Sequence, residues 1–277
     1  MFRAILILFC HVIFIQRVEA GAACCAGKGD FPSLITDHSR SQYSLSAVAS
    51  TIIGSSNENG NSEFFHSDKY ERSFILNGSV TTRLSEEFQI GVNFPFVIKD
   101  TRDLNRKSKS QGIGDPSISI AYEIIDHHSQ SLPQTLLVLS ASLPAGTSHH
   151  ESEEAIPSSA VGSGHWALQT GLISFYSWEN WSTSAQALAQ YSFPQDFDSK
   201  RGKVKVAPGW NTSGKIRIGY SLWHKRLFLG LGLGPRWQEA QTQKDIFGKS
   251  KTGHRLAWDA SAELNLLLTD ASSLAIT

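Results

Sequence analysis

The sequence predicts an all-β chain whose antiparallel strands close into a transmembrane barrel. Three observations carry that prediction. From residue 41 onward, apolar residues recur with period two, the spacing of strands rather than helices. The connections between these stretches are short and long in strict alternation. Tryptophans fall near the ends of the apolar stretches, where the interfaces of a bilayer hold such rings. Composition agrees with this class: 25 basic and 25 acidic side chains cancel, and charged residues make up only 18 % of the 277. A chain without net charge carries no electrostatic footprint for nucleic acid.

The first twenty residues, "MFRAILILFCHVIFIQRVEA", read as an export signal. Arg3 supplies the positive end, Ala4 to Ile15 the apolar run, and Val18 and Ala20 the small residues before a cut. The run stops at Gln16-Arg17, short of the roughly 20 apolar residues a spanning helix needs. We expect a signal peptide over 1–20, a periplasmic tail over 21–40 and the barrel over 41–277. The tail holds the adjacent Cys24 and Cys25. Neighbouring cysteines seldom meet disulfide geometry, and Gly21 stands where a lipidation signal has a leucine-like residue.

The strands follow in order. "SQYSLSAVAST" puts Tyr43, Leu45, Ala47 and Ala49 on one face. "SFILNGSVTTRL" opposes Phe74, Leu76, Val80 and Leu84 to Asn77, Ser79, Thr81 and Arg83. "FQIGVNFPFVI" opposes Phe88, Ile90, Val92, Phe94 and Phe96 to Gln89, Gly91 and Asn93. "SISIAYEI" opposes its isoleucines and Tyr122 to Ser117, Ser119 and Glu123. "TLLVLSASL" is the least clean, because Leu136 and Val138 stand on the face that should be polar. "WALQTGLI", "WSTSAQALAQYSF" and "KIRIGYSL" resume the alternation, and "RLAWDASAELNL" ends it. Between the last two lies "LFLGLGLG" (227–234), with leucine at every second place and glycine in three of the gaps. Glycine weakens a strand and needs a reason. In a barrel the leucines face lipid, and we expect the glycines to leave room for an Arg or Glu lying across the lumen. These are ten full strands; "SSLAIT" begins an eleventh. Bacterial barrels take even counts, and Thr277 is no terminal aromatic, so a twelve-stranded intact protein is expected.

Short turns lie near 84–87, 126–132, 177–180, 223–226 and 268–272, and long polar links near 53–70, 99–113, 145–163, 194–209 and 239–254. Outer-membrane barrels keep short turns on the periplasmic side and long loops outside. A soluble sandwich has no such constraint. Parity then sorts the polar residues. Arg83, Glu123, Lys215, Arg217, Arg236, Asp259 and Glu263 fall inside, with Gln89, Asn93, Gln169, Gln186, Gln190 and Asn265. On the lipid face an Arg or Lys would cost about 2–4 kcal/mol at mid-bilayer. The opposite signs of Lys215 and Arg217 against Asp259 and Glu263 predict ion pairs across the lumen, which either set selectivity or plug it. Trp166, Trp181, Trp210, Trp237 and Trp258 share the apolar parity and predict an aromatic girdle.

Three motifs then add a family. "GIGDPSISIAYEII" (112–125) opens a strand, "LSASLPAGTS" (139–148) ends the next, and "VGSGHWALQTGL" (161–172) opens the one after. This order resembles the bacterial outer-membrane family associated with the meta-pathway of phenol degradation, over about residues 70–277. The resemblance implies a barrel channel for uptake of small, often hydrophobic, compounds, and brings no catalytic residues to carry over. The missing terminal aromatic strand departs from it. Physics accounts for part of the motifs. Pro116 has no N–H to give a ladder and suits a strand's first residue, and Pro144 ends one for the same reason. Gly162 and Gly164 permit a tight bend.

Other chemistry is weakly signalled. "GWNTSGKI" (209–216) matches a phosphate-binding loop up to Lys215, but Ile216 replaces the magnesium-binding hydroxyl and a strand follows instead of a helix. "SHHESEE" (148–154) could collect a metal, though its spacing fits no tight ligand pattern. His150 with Ser152, or His165 with Ser163, could be forced into a hydrolase pair, without an evident third partner. We expect no enzyme, cofactor or metal; the expected partners are outer-membrane lipid and a small solute. The alternatives are a sealed barrel whose long loops bind a partner, and a barrel hydrolase.

Overall fold

The computed structural model describes residues 34–35, 40–52, 54–56, 62–64, 70–103, 106–125, 132–148, 161–199, 202–222, 227–245, 248–251, 253–269 and 272–276. Among them every regular element is a strand, and no helix is long and apolar enough to cross a membrane. The expected signal, Cys24, Cys25 and the "SHHESEE" residues from His149 on lie outside the described residues.

The wall is one antiparallel sheet. It runs through β1 (Ser41–Ile52), β4 (Tyr70–Arg83), β5 (Phe88–Asp103), β7 (Ser117–Ile125), β8 (Gln134–Ser142), β9 (Ala167–Trp178), β10 (Trp181–Ser192), β13 (Gly209–Leu222), β14 (Leu227–Gln238), β17 (Arg255–Thr269) and β18 (Ser272–Ile276). Each strand pairs with the next in that order, and the sheet curls until β18 comes within 8 Å of β1 between Cα atoms. These are the ten full strands and the beginning of an eleventh that the alternation predicts. Gly209–Leu222 absorbs the phosphate-loop lookalike into a strand, so no helix N-terminus faces a phosphate there.

The long polar links, expected as loops, carry strands of their own. β2 (Gly54–Ser56) and β3 (Ser62–Phe64) form a small hairpin within the first. The link near 99–113 is largely wall: β5 runs on to Asp103 and turns back as β6 (Arg106–Ile113), paired from Phe96↔Ile113 to Asp103↔Arg106. Thus β6 and β7 share one edge of β5, interrupted at Gly114-Asp115-Pro116. The last two long links join. β11 (Gln195–Ser199), β12 (Gly202–Ala207), β15 (Thr242–Asp245) and β16 (Gly248–Lys251) make one four-stranded sheet, with Phe197, Val204 and Val206 buried on one face.

The sheet is apolar outside and polar within. Strand β7 alternates strictly, with Ser117, Ser119, Ala121 and Glu123 buried and Ile118, Ile120, Tyr122 and Ile124 exposed. Leu231 is 70 % exposed and Ile218 51 %, whereas the inner face buries Asn77, Ser79, Thr81, Gln89, Asn93, Ser140 and Arg217. In water so continuous an apolar exterior would aggregate. In a bilayer it is the required arrangement, since a closed barrel pairs its backbone internally and turns its apolar residues to lipid. The fold is that of an outer-membrane β-barrel.

Candidate functional site

The inner face divides into three levels. At the short-turn end, β4, β5, β7 and β8 bring together Arg83, Gln89, Glu123 and Gln134. Arg83 Nη2 lies 4.0 Å from Glu123 Oε2, and Gln134 Nε2 donates to Glu123 Oε1 at 3.0 Å. Glu123 is buried, so the nearby cation and the amide donor offset part of its desolvation. The same level receives chain from upstream of the barrel. Ile35 N donates to Gln89 Oε1 at 2.8 Å, and its carbonyl accepts from Gln89 Nε2 at 3.2 Å and from Arg83 Nη2 at 3.5 Å. One glutamine therefore satisfies both backbone groups of Ile35, much as a neighbouring strand would. Leu34 packs beside it on Ala121, Leu136, Val138 and Ile173, with Phe175 at the margin. Leu136, Val138 and Ile35 are fully buried.

This explains the unclean strand. Leu136 and Val138 break the alternation because they build an apolar patch on an otherwise polar interior, and Leu34 covers it. The break in "TLLVLSASL" was the available signal; nothing local in "FPSLITD" indicates that the segment expected as tail supplies Leu34 and Ile35 to the interior.

On the inner parity β13 and β14 place Lys215 and Arg217 at mid-height, Phe228 toward the short-turn end and Arg236 toward the long loops. Arg217 is buried; Lys215 and Arg236 are half-buried. The glycines leave room for side chains from the neighbouring strand. A Cβ on Gly232 would stand 2.9 Å from Lys215 Cε and 2.8 Å from Ser261 Oγ. One on Gly219 would stand 2.0 Å from Phe228 Cζ, inside any van der Waals contact. The space over Gly232, one of the glycines expected to let a charge lie across the lumen, is thus occupied by the stem of Lys215 from the adjacent strand, while Gly219 of β13 makes room for the Phe228 ring. Asp259 and Glu263 pair in register with Gly234 and Gly230, but their side chains, and with them the expected cross-lumen ion pairs, lie outside the described residues.

The third level is the rim on the long-loop side, where the three motifs meet. Asp115 Oδ1 accepts from Gly146 N at 2.9 Å, and Oδ2 accepts from the backbone N and, at 2.7 Å, the hydroxyl of Ser163. One carboxylate therefore ties Gly-Asp-Pro, Leu-Pro-x-Gly and Gly-Ser-Gly together. Gly146 and Gly162 touch there, since a Cβ on either would lie 2.6 Å from the other's Cα. His165 follows: its Nδ1 lies 3.0 Å from Phe193 O and its ring stands edge-on to Phe197 at 5.1 Å. Burial lowers its pKa from the ordinary 6.5, against the opposing effects of the Phe193 carbonyl and Asp115. Ser163 Oγ donates to Asp115 and accepts from His165 N, while the imidazole faces Phe193. The histidine ring is thus not set to take the serine proton, as a hydrolase pair would require. Among the described residues no three His, Cys, Asp or Glu side chains group to hold a metal.

On the outer face Trp166, Trp181, Trp210, Trp237 and Trp258 are all exposed. They fall at two heights. Trp181 stacks on Trp178 at 6.4 Å and meets Tyr220 edge-on at 4.8 Å beside the 179–180 turn. Trp210 packs on Tyr191 at 5.1 Å, and Trp237 on His254 at 5.7 Å, toward the long loops.

Comparison with known proteins agrees with this architecture. A family model described as "Putative MetA-pathway of phenol degradation" matches residues 56–267. Among solved structures, an outer membrane channel from Pseudomonas putida F1 is similar over 88 % of this chain and 87 % of its own, with a TM-score of 0.62 at 14 % identity. That likeness is one of fold. No curated protein sequence matches the chain.

Proposed function

The chain belongs to this phenol-degradation family of barrels, and we propose that it is an outer-membrane channel passing a small solute. The observation that carries the proposal is the interior: a polar wall bearing ionisable side chains, with an apolar patch covered by Leu34. A barrel filled only for stability has no need of a greasy patch beside Gln89 and Arg83 whose cover is Leu34. A passage for a compound with an apolar body has a use for one, because such a patch offers that body a place out of water when Leu34 withdraws. The similar fold of a solved outer membrane channel supports the same function.

In this proposal Arg83, Glu123, Lys215, Arg217 and Arg236, with Asp259 and Glu263, set the field of the passage. Trp166, Trp181, Trp210, Trp237 and Trp258 anchor the wall at the two interfaces. No step of covalent chemistry is invoked. Reconstitution of the full chain in planar bilayers tests it. Discrete ion currents are expected, larger when Leu34 is replaced by Asp. Silence from both proteins would contradict passage and favour a sealed barrel whose loops bind a partner.

A further inference from the structure

The outer wall changes character where β4, β5 and β6 rise past the apolar belt toward the long loops. Phe74 and Ile98 pair there as the last apolar residues of β4 and β5, with Gln111 beside them on β6. The next row is Arg72–Asp100–Lys109, and the one above it is Tyr70–Arg102–Lys107. Period two keeps these rows on one face, and the exposure of Phe74, Phe96 and Ile113 identifies it as the outer one. Successive rows on one face are about 7 Å apart along the strand. The four cations therefore begin where the lipid-facing belt ends.

All four, Arg72, Arg102, Lys107 and Lys109, are exposed, and Asp100 is the one carboxylate in these rows. That carboxylate is already shared: Lys107 Nζ lies 4.0 Å from its Oδ2, and the Tyr70 hydroxyl donates to its Oδ1 at 3.4 Å. Arg72 is held in place with its Cζ 4.6 Å over the Tyr70 ring. Arg102 and Lys107 stand directly opposite one another, and like charges facing across a ladder destabilise it. A chain that is neutral overall thus concentrates positive charge at one point of its lipid-facing wall, in an arrangement that an external anion would relieve.

We propose that this patch binds the phosphate groups of an anionic lipid in the outer leaflet. Guanidinium groups take phosphate oxygens in pairs, and ammonium groups add point charges. Continuity with Phe74, Phe96 and Ile113 favours a lipid over a free ion, because acyl chains and phosphate are engaged by one surface. The patch lies outside the lumen, so it stands apart from solute passage.

Native mass spectrometry of the full chain in neutral detergent tests it, with bisphosphorylated lipid A and its dephosphorylated form as probes. Wild type is expected to retain the phosphorylated lipid, and to lose roughly tenfold or more in binding when the lipid is dephosphorylated or when Arg72, Arg102, Lys107 and Lys109 are all replaced by Gln. Inorganic phosphate in excess should not displace it. Equal retention of both lipids, equal retention by the variant, or displacement by phosphate would each overturn the proposal. Heat-modifiable gel mobility checks that the variant folds. If it does not, the pair Arg102→Gln and Lys107→Gln, close to the hairpin tip, should still cost roughly tenfold or more, and no loss there would also overturn it. Unchanged conductance of a lipid-deaf variant would leave the channel function intact.

Discussion

Replacing Leu34 by Asp should release the upstream segment from the barrel interior. Burying a leucine side chain is worth about 1.5–3 kcal/mol. The paired bonds of Gln89 to Ile35 add about 0.5–1.5 kcal/mol each. Against these stands the ordering of the segment, about 1–2 kcal/mol for each backbone residue fixed. With Leu34 the docked state wins by a small margin. Without it the margin reverses, and an aspartate among Ala121, Leu136, Val138 and Ile173 adds the penalty of an unpaired buried charge. Two measurements read the change. The Ile35 amide, protected through Gln89 in wild type, should exchange at least about tenfold faster, since 1.4 kcal/mol corresponds to a factor of ten. Single-channel conductance should rise, because the segment occupies the short-turn end of the passage. Gln89→Ala should act in the same direction with a smaller effect. An unchanged exchange rate at Ile35 together with unchanged conductance would refute the idea that Leu34 holds the segment in place.

Gly219→Ala should destabilise the barrel by about 1–3 kcal/mol, because the new methyl collides with Phe228; pairing it with Phe228→Leu should recover most of the loss in urea unfolding from lipid vesicles. Asp115→Asn should leave the wall intact but free the rim, since the amide cannot accept from Gly146 N and from both donors of Ser163; hydrogen exchange should accelerate over 143–148 and 161–165 and nowhere else in the wall. Acid should loosen the same rim through His165. Its folded-state pKa is lowered by burial, so its contribution is fully present above the unfolded value of about 6.5 and is lost as pH falls through the folded value. His165→Phe should flatten that acid dependence in a melting experiment, and an identical pH profile in the variant would remove His165 as its cause.

Much of the wall was legible because its physics is simple. In a bilayer one face must be apolar and the other need not be, so "SISIAYEI" and "LFLGLGLG" announce their orientation residue by residue. The family was legible in three motifs whose common purpose appears only in three dimensions, where Asp115 joins them. The less readable features are those that depend on distant partners. Leu136 and Val138 looked like noise in an alternating strand, and their reason lies about a hundred residues upstream in Leu34. The loop sheet was missed because β11, β12, β15 and β16 have 4–6 residues each and are mostly polar. Phe197, Val204 and Val206 alternate within them, a signal too short to separate from loop. Of the β14 glycines expected to accommodate a charge across the lumen, Gly232 accommodates the stem of Lys215 from the adjacent strand, a placement that depends on register.

Spin labels placed one at a time along 216–219 and 229–234, in the full chain reconstituted into lipid vesicles, give the most direct test of lipid outside and polar interior. Positions 216, 218, 229, 231 and 233 should collide mainly with oxygen dissolved in the bilayer, and positions 217, 219, 230, 232 and 234 should not. A flat profile along either strand, or oxygen contact at 217 and 232 instead, would contradict the barrel orientation on which the proposed function rests.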